Sequence, residues 1–136
     1  MSCNAHPEPL PPGADVQGFT PDPNLSWVSV YAAACEDPEC EENHRQLFIV
    51  PIIGWAQVNV PREDADFDEW RLRPSIMLSN GNVVDYLDLP DMYRFVAVLR
   101  ANQDVPTIAR DIYAHTFGDA EAEKITRVID EAQLPN

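Results

Sequence analysis

Proline is spread very unevenly along this chain, and its positions restrict where regular structure can form. Six of the thirteen prolines fall within residues 1–24, in runs that include Pro11-Pro12 and Pro21-Asp22-Pro23. Proline fixes its own φ and lacks a backbone donor, so such a segment favours extended, mobile polyproline II conformations. The sequence therefore predicts a disordered proline-rich leader over 1–24 and a single folded domain over 25–136.

Segments of strand-like composition follow the leader. Residues 25–34 alternate between two faces, with Trp27, Ser29 and Tyr31 on one of them. The apolar run 46–60 contains Pro51 and Gly54, which predict either two short strands or one strand with a bulge. Residues 70–78 alternate again, and their two faces are Trp70, Leu72, Ile76 and Leu78 against Arg71, Arg73 and Ser75.

The dipeptide Asn80-Gly81 is the strongest turn signal in the chain. It stands between two alternating runs and favours a two-residue hairpin of type I′, in which both turn residues have positive φ. The returning strand is then 83–87, with Val83 opposite Leu78.

After residue 87 the apolar period changes from two to 3.6, which predicts three helices. The first has an N-cap at Asp88 and a buried stripe of Met92, Phe95, Val96 and Leu99. The second begins after Asp104 and ends at Gly118, with a stripe of Val105, Ile108, Ala109 and Ile112. The third is capped by Asp119 and buries Ala122, Ile125, Val128, Ile129 and Ala132.

The order of these elements predicts an α+β fold. Four strands, or five if the run 46–60 is divided, form an antiparallel sheet, and the three C-terminal helices pack on one face of it.

Charge restricts the partners of the protein. The chain has 23 acidic and nine basic residues and a formal net charge of −14. Phosphate backbones and anionic lipid surfaces repel such a chain, so the sequence predicts no direct nucleic-acid or membrane partner. Eight of the nine bases are arginine, which, with abundant alanine, aspartate and proline, is typical of GC-rich genomes such as those of actinobacteria and their phages.

Ten of the acids are concentrated in two segments, 36–42 and 63–69, which contain no Lys or Arg. This concentration predicts an acidic protein-interaction module that binds a basic protein surface. The predicted partner-binding residues are Glu36, Asp37, Glu39, Glu41, Glu42, Glu63, Asp64, Asp66, Asp68 and Glu69. A phage-encoded inhibitor that mimics DNA is a special case, and it requires acids spaced like phosphates along one face.

A small zinc-binding protein, regulatory or structural, is the second hypothesis. Cys35, Cys40 and His44 lie within ten residues, and thiolates with imidazole are ligands that zinc prefers. The spacing differs from the Cys-x2-Cys of common zinc modules, and a structural site needs a fourth ligand, for which Cys3, His6 and the nearby glutamates are candidates.

A metal-assisted hydrolase that uses the clustered carboxylates is the third hypothesis. The chain has no glycine-rich phosphate loop, no Gly-x-Ser-x-Gly and no His-Glu-x-x-His, and no catalytic residue is predicted. Asp111 and His115 have the i, i+4 spacing of an orienting dyad or a surface ion pair. Arg71 and Arg73 near Tyr86 predict either an anion site or pairs with neighbouring acids.

Cysteine use and hydropathy favour the cytoplasm as the compartment. Three cysteines, an odd number, argue against a disulfide framework, and no apolar run reaches membrane-spanning length. Residues 1–24 contain no Lys or Arg, so they lack the positive region of a secretory signal.

Overall fold

The computed structural model describes residues 9–11, 13–34, 44–61 and 69–135. These residues form two four-stranded sheets and two helices. The elements in chain order are β1 Asp15–Pro21, β2 Trp27–Ala34, β3 Arg45–Pro51, β4 Gly54–Val60, β5 Glu69–Met77, β6 Val83–Asp85, β7 Arg94–Arg100, α1 Val105–Phe117, α2 Asp119–Glu123 and β8 Ile125–Ile129.

The two sheets have different strand directions. The first sheet has the order β1-β4-β5-β6 and is antiparallel throughout. The second sheet has the order β7-β2-β3-β8, in which β2 is antiparallel to both β7 and β3, and β8 is parallel to β3. Strands β3, β7 and β8 therefore run in the same direction.

The expected α+β fold, with one antiparallel sheet of four or five strands and three C-terminal helices on one face of it, is wrong. The described residues form two four-stranded sheets, one of which contains a parallel pair, and only two helices. The segment predicted as the first helix contains strand β7, and the segment predicted as the third helix forms the short helix α2 followed by strand β8. Among the predicted helices, only the second is a long helix, α1.

An extra residue in β7 explains why its sequence resembles a helix. Val30 of β2 pairs with Ala97 and Tyr31 pairs with Phe95, so Val96 is a bulge. Phe95 and Val98 then face the first sheet, while Val96 and Leu99 face α1. The bulge turns a period of two into an i, i+3 spacing, which is the spacing of a helix face.

Strand β8 has the same irregularity. Its pairing with β3 shifts so that Arg45 opposes Ile125 and Gln46 opposes Arg127, which leaves Thr126 as the extra residue. Ile125 and Val128 consequently pack in the same core at an i, i+3 spacing. The β-branched residues of this segment suit a strand better than a helix.

Helix α1 confirms its predicted ends. Asp104 is the N-cap, a proline stands in the first turn, and Gly118 terminates the helix with φ 101° while its N–H donates to Ala114 O. The buried side chains are Val105, Ala109 and Tyr113, whereas the predicted Ile108 and Ile112 are half-buried.

The run 46–60 forms two strands that belong to different sheets. Pro51 ends β3, and the next two residues connect the sheets, because the N–H of Ile52 donates to Trp27 O and the N–H of Ile53 donates to Ser75 O. This connection holds the two sheets together at one corner.

Two apolar cores lie on opposite faces of the second sheet. One core lies between this sheet and α1 and includes Val30, Leu47, Ala109 and Tyr113. The other lies between the two sheets and includes Tyr31, Val50, Ile52, Ile76 and Tyr86. The alternation predicted for residues 25–34 is confirmed, since Val30 and Tyr31 face different cores.

Strand β1 lies within the segment expected to be a disordered leader, so this part of that expectation is corrected. Residues 15–21 pair with β4, and a bulge at Gln17 shifts the register between Val16 and Gly18. Phe19 packs directly over Gly54, where a side chain would collide with its ring. Leu10 and Ala14 pack against Ala56, Val58 and Val60. Residues 1–8 and 12 lie outside the described residues.

The hairpin at Asn80-Gly81 is confirmed, but its predicted register is wrong by one residue. Met77 pairs with Val83, and Leu78 N–H donates to Asn82 O. The N–H of Gly81 donates to Leu78 O, and Gly81 alone has positive φ, at 88°. This is a three-residue turn that ends in a left-handed glycine, so the predicted two-residue turn of type I′ is also wrong.

Candidate functional site

The acidic residues predicted to bind a partner belong to two connections between strands. The segment 35–44 joins β2 to β3, and the segment 61–68 joins β4 to β5. Glu69 begins β5, and its Oε2 accepts a hydrogen bond of 2.8 Å from Arg71 Nη2. The other nine lie outside the described residues: Glu36, Asp37, Glu39, Glu41, Glu42, Glu63, Asp64, Asp66 and Asp68.

Strand β5 presents one face that is half covered and half open. Ile76 is fully buried in the core between the sheets, but Trp70 and Leu72, which lie on the same side of the strand, are 61% and 63% exposed. The alternation in the sequence predicts that these residues share a face. It does not reveal that the second sheet covers only one end of that face.

The pairing of β5 with β4 shows where the covered part ends. Trp55 lies opposite Pro74 and makes an edge contact with Trp27 of the second sheet, with ring centroids 6.2 Å apart. Leu72 lies opposite the exposed Gln57, and Trp70 lies opposite Asn59. Trp70 and Leu72 therefore form an apolar surface patch at the end of β5 that follows the acidic segment 63–69, and we call it the β5 patch.

The opposite face of β5 carries a buried ion pair. Arg73 is only 7% exposed, and its Nε and Nη2 donate hydrogen bonds of 2.9 and 2.7 Å to the two carboxylate oxygens of Asp85. Its guanidinium also lies over the ring of Tyr86, 5.0 Å from the centroid. Of the two sequence-based alternatives for Arg71 and Arg73, the structure shows pairing with acids.

Burial and neighbouring charges shift the pKa values of Arg73 and Tyr86. Burial opposes the charge on Arg73, but the hydrogen bonds and the negative charge of Asp85 outweigh it, so the pKa of Arg73 is raised. Burial raises the pKa of Tyr86, and the charge of Asp85 adds to the rise while Arg73 opposes it. The Tyr31 hydroxyl donates to Tyr86 O at 2.6 Å, and Ser29 Oγ donates to Tyr31 Oη at 2.9 Å.

The predicted zinc ligands are placed only in part. Cys35 and Cys40 lie outside the described residues, and His44 is half-buried immediately before β3. Within 9–11, 13–34, 44–61 and 69–135, no group of three His, Cys, Asp or Glu side chains is arranged to hold a metal ion.

The candidate dyad for catalysis lies on the outer surface of α1. Asp111 and His115 are both exposed. The carboxylates that the hydrolase hypothesis requires lie mainly in the segments 35–43 and 62–68.

No protein-family model, no curated protein and no solved structure matches this chain. In the part of the chain that the structure describes, no helix is long and apolar enough to cross a membrane.

Proposed function

We propose that this protein is an acidic interaction module that binds a basic protein surface, with the β5 patch as the apolar centre of the interface. The observation that carries the proposal is the exposure of Trp70 and Leu72 on a sheet face whose other half is buried. A partner that covers the open half would continue the packing that the second sheet begins.

Trp70 and Leu72 have the chemistry of interface anchors. Tryptophan is strongly enriched among the residues that contribute most to binding energy, because it buries a large, rigid surface. The two side chains adjoin along one face of a strand, so they present a single contiguous contact rather than two scattered ones.

The acids that precede the β5 patch give the interface its charge. Segment 63–69 has five acids and no base within it, and Arg71 pairs with Glu69 at its end. Clustered charge at the rim of an interface mainly accelerates association and selects partners of opposite sign. A basic protein with an apolar depression is therefore the partner class that fits.

The test begins with capture of a binding protein from the native host, followed by reconstitution with the purified partner. We expect W70S/L72S to raise the dissociation constant at least about tenfold, because tenfold corresponds to about 1.4 kcal/mol and truncation of an interface hot spot costs about 2 kcal/mol or more. Both side chains are exposed, so thermal unfolding should show that the fold remains intact.

A matched pair of charge variants separates local charge from net charge. The acidic-segment variant carries E63Q/D64N/D66N/D68N, and the dispersed-acid variant carries D88N/D91N/D111N/E123Q at exposed positions. We expect slower association for the acidic-segment variant alone, and weaker binding of the wild type as the NaCl concentration rises.

Binding that does not depend on salt, or binding of W70S/L72S as tight as that of the wild type, contradicts the proposal. Competition by duplex DNA for the same partner would identify the special case of a DNA mimic.

A further inference from the structure

A second surface feature lies at the carboxyl ends of three strands of the second sheet. Strands β3, β7 and β8 run in the same direction and end at the same edge of the second sheet, where helix α1 begins. In open sheets with parallel strands, ligands commonly bind in the crevice outside the carboxyl ends of the strands.

A cavity of about 250 Å³ occupies this position. Its apolar lining includes the core residues Val28, Ile49 and Val105, and Pro51 and Leu25 also line it. We call this cavity the sheet-end cleft. An alkyl chain of four or five carbons is the size of apolar group that such a space accommodates.

The charged groups of the sheet-end cleft are all negative. Asp130 and Glu131 line it and are exposed, and no Lys or Arg is among the described residues that line it. The nearest base along the chain, Arg100, lines a neighbouring cavity and lies over the Trp27 ring at 4.9 Å. The cleft therefore joins an apolar wall to two exposed carboxylates, and Asp130 Oδ1 accepts a hydrogen bond of 2.9 Å from the Glu131 N–H.

The backbone at the cleft is held in an unusual conformation. Leu25 and Glu131 have φ of 49° and 50°, and within the described ranges they are the non-glycine residues with positive φ. A bulky residue in this region is strained, and such strain is concentrated at binding sites. The turn that holds Leu25 is closed by its N–H, which donates to Asp22 O at 3.2 Å.

We propose that the sheet-end cleft binds an alkylammonium or alkylguanidinium chain, with the alkyl part against Val28, Pro51 and Val105 and the cationic head beside Asp130 and Glu131. The apolar wall and the acidic rim match a ligand that is apolar along its stem and charged at its end. This inference goes beyond the proposed interaction and does not involve the β5 patch.

The probe is n-pentylammonium, with 1-pentanol as its uncharged counterpart. We expect saturable shifts of the methyl resonances of Leu25, Val28 and Val105 in carbon–proton correlation spectra of the full chain, with a dissociation constant in the millimolar range. Pentanol should bind more weakly, because it lacks the charge. Equal binding of pentanol, or shifts spread evenly over the molecule, overturns the proposal.

Variants locate the site. D130N/E131Q should weaken binding of n-pentylammonium about fivefold, as expected for the loss of two surface charge attractions. D88N/D91N removes the same charge elsewhere and should leave binding unchanged. A101L places a larger side chain at the exposed, cleft-lining Ala101 and should block binding while the fold remains intact. Unchanged binding by both D130N/E131Q and A101L refutes the site.

A lysine side chain of a protein and a free alkylamine both have this chemistry, and a third titration distinguishes them. Nα-acetyl-lysine N-methylamide presents the same chain attached to a peptide backbone. Affinity equal to that of n-pentylammonium assigns the cleft to a lysine side chain of a protein, and binding of n-pentylammonium alone assigns it to a free alkylamine. Failure of both leaves the proposed function standing, because the β5 patch is tested separately.

Discussion

Arg73 shows how a residue's environment reverses what its identity predicts. Arginine on an alternating strand normally marks the solvent side, yet here it is among the most buried polar residues described. Two hydrogen bonds to Asp85 and the ring of Tyr86 surround its guanidinium. Such a pair contributes little net stability when it is complete, but removal of one partner leaves an unpaired charge in the interior.

Removal of Arg73 should therefore destabilise the protein strongly. We expect R73M to lower the free energy of unfolding by about 3 kcal/mol, measured by urea denaturation. R73M/D85N should be more stable than R73M, because it also removes the unpaired carboxylate charge. R71M, at the exposed pair with Glu69, should cost less than about 1 kcal/mol. A double variant no more stable than R73M would show that charge burial is not the cause.

Tyr31 should make stability depend on alkaline pH. Burial raises the pKa of Tyr31 well above the ordinary value of 10.0, and the hydrogen bond with Ser29 opposes the rise only in part. The unfolded chain loses this proton first, so the stabilisation is complete below pH 10 and is lost as the pH rises further. We expect the free energy of unfolding of the wild type to fall more steeply above pH 10 than that of Y31F. Parallel profiles would contradict this.

At the scale of the element, irregular strands explain which predictions failed. The 80–81 hairpin and α1 are present. Capping residues alone did not separate α1 from the failures, because the first and third predicted helices also had candidate N-caps, Asp88 and Asp119. Strands β7 and β8 were predicted as helices because bulges at Val96 and Thr126 give strands a helical spacing. Both bulges depend on pairing with β2 and β3, far away in the sequence, so local periodicity cannot reveal them.

Gly54 is the residue on which the docking of β1 depends. A β-carbon at this position would lie 2.3 Å from Phe19 Cζ and 2.6 Å from the carbonyl oxygen of Thr20. We expect G54A to displace β1 and to lower the free energy of unfolding by about 1–3 kcal/mol. Hydrogen exchange of the amides in 15–20 should accelerate relative to those of β2.

G18A is the matched control for Gly54. A β-carbon at Gly18 meets only the end of the flexible Gln57 side chain within 3 Å, and that side chain can turn away. Exchange in β1 should therefore be much less affected by G18A than by G54A. If the two variants behave alike, the contact between Phe19 and Gly54 does not hold β1 in place.

At the scale of the molecule, the sequence indicates the charge of the candidate surface but not its apolar centre. The sequence shows the two acidic segments directly, because 36–42 and 63–69 together contain ten acids and no Lys or Arg. The alternation of residues 70–78 predicts Trp70 and Leu72 to be core residues, because they share a strand face with the buried Ile76. Their exposure follows from how far the second sheet extends over the first, which is a property of the tertiary packing.

The uneven distribution of charge should also appear in the salt dependence of stability. A net charge of −14 opposes compaction through repulsion, and added salt screens repulsion between exposed groups. We expect the melting temperature of the wild type to rise by about 3–5 °C between low salt and 0.3 M NaCl, which corresponds to about 1 kcal/mol.

The acidic-segment and dispersed-acid variants have equal net charge, so they separate two causes of this salt response. If neighbouring carboxylates repel one another locally, the acidic-segment variant should lose more of the salt response. An equal loss in both variants would attribute the repulsion to net charge alone, and a fall in melting temperature with salt would show that attractive ion pairs outweigh it.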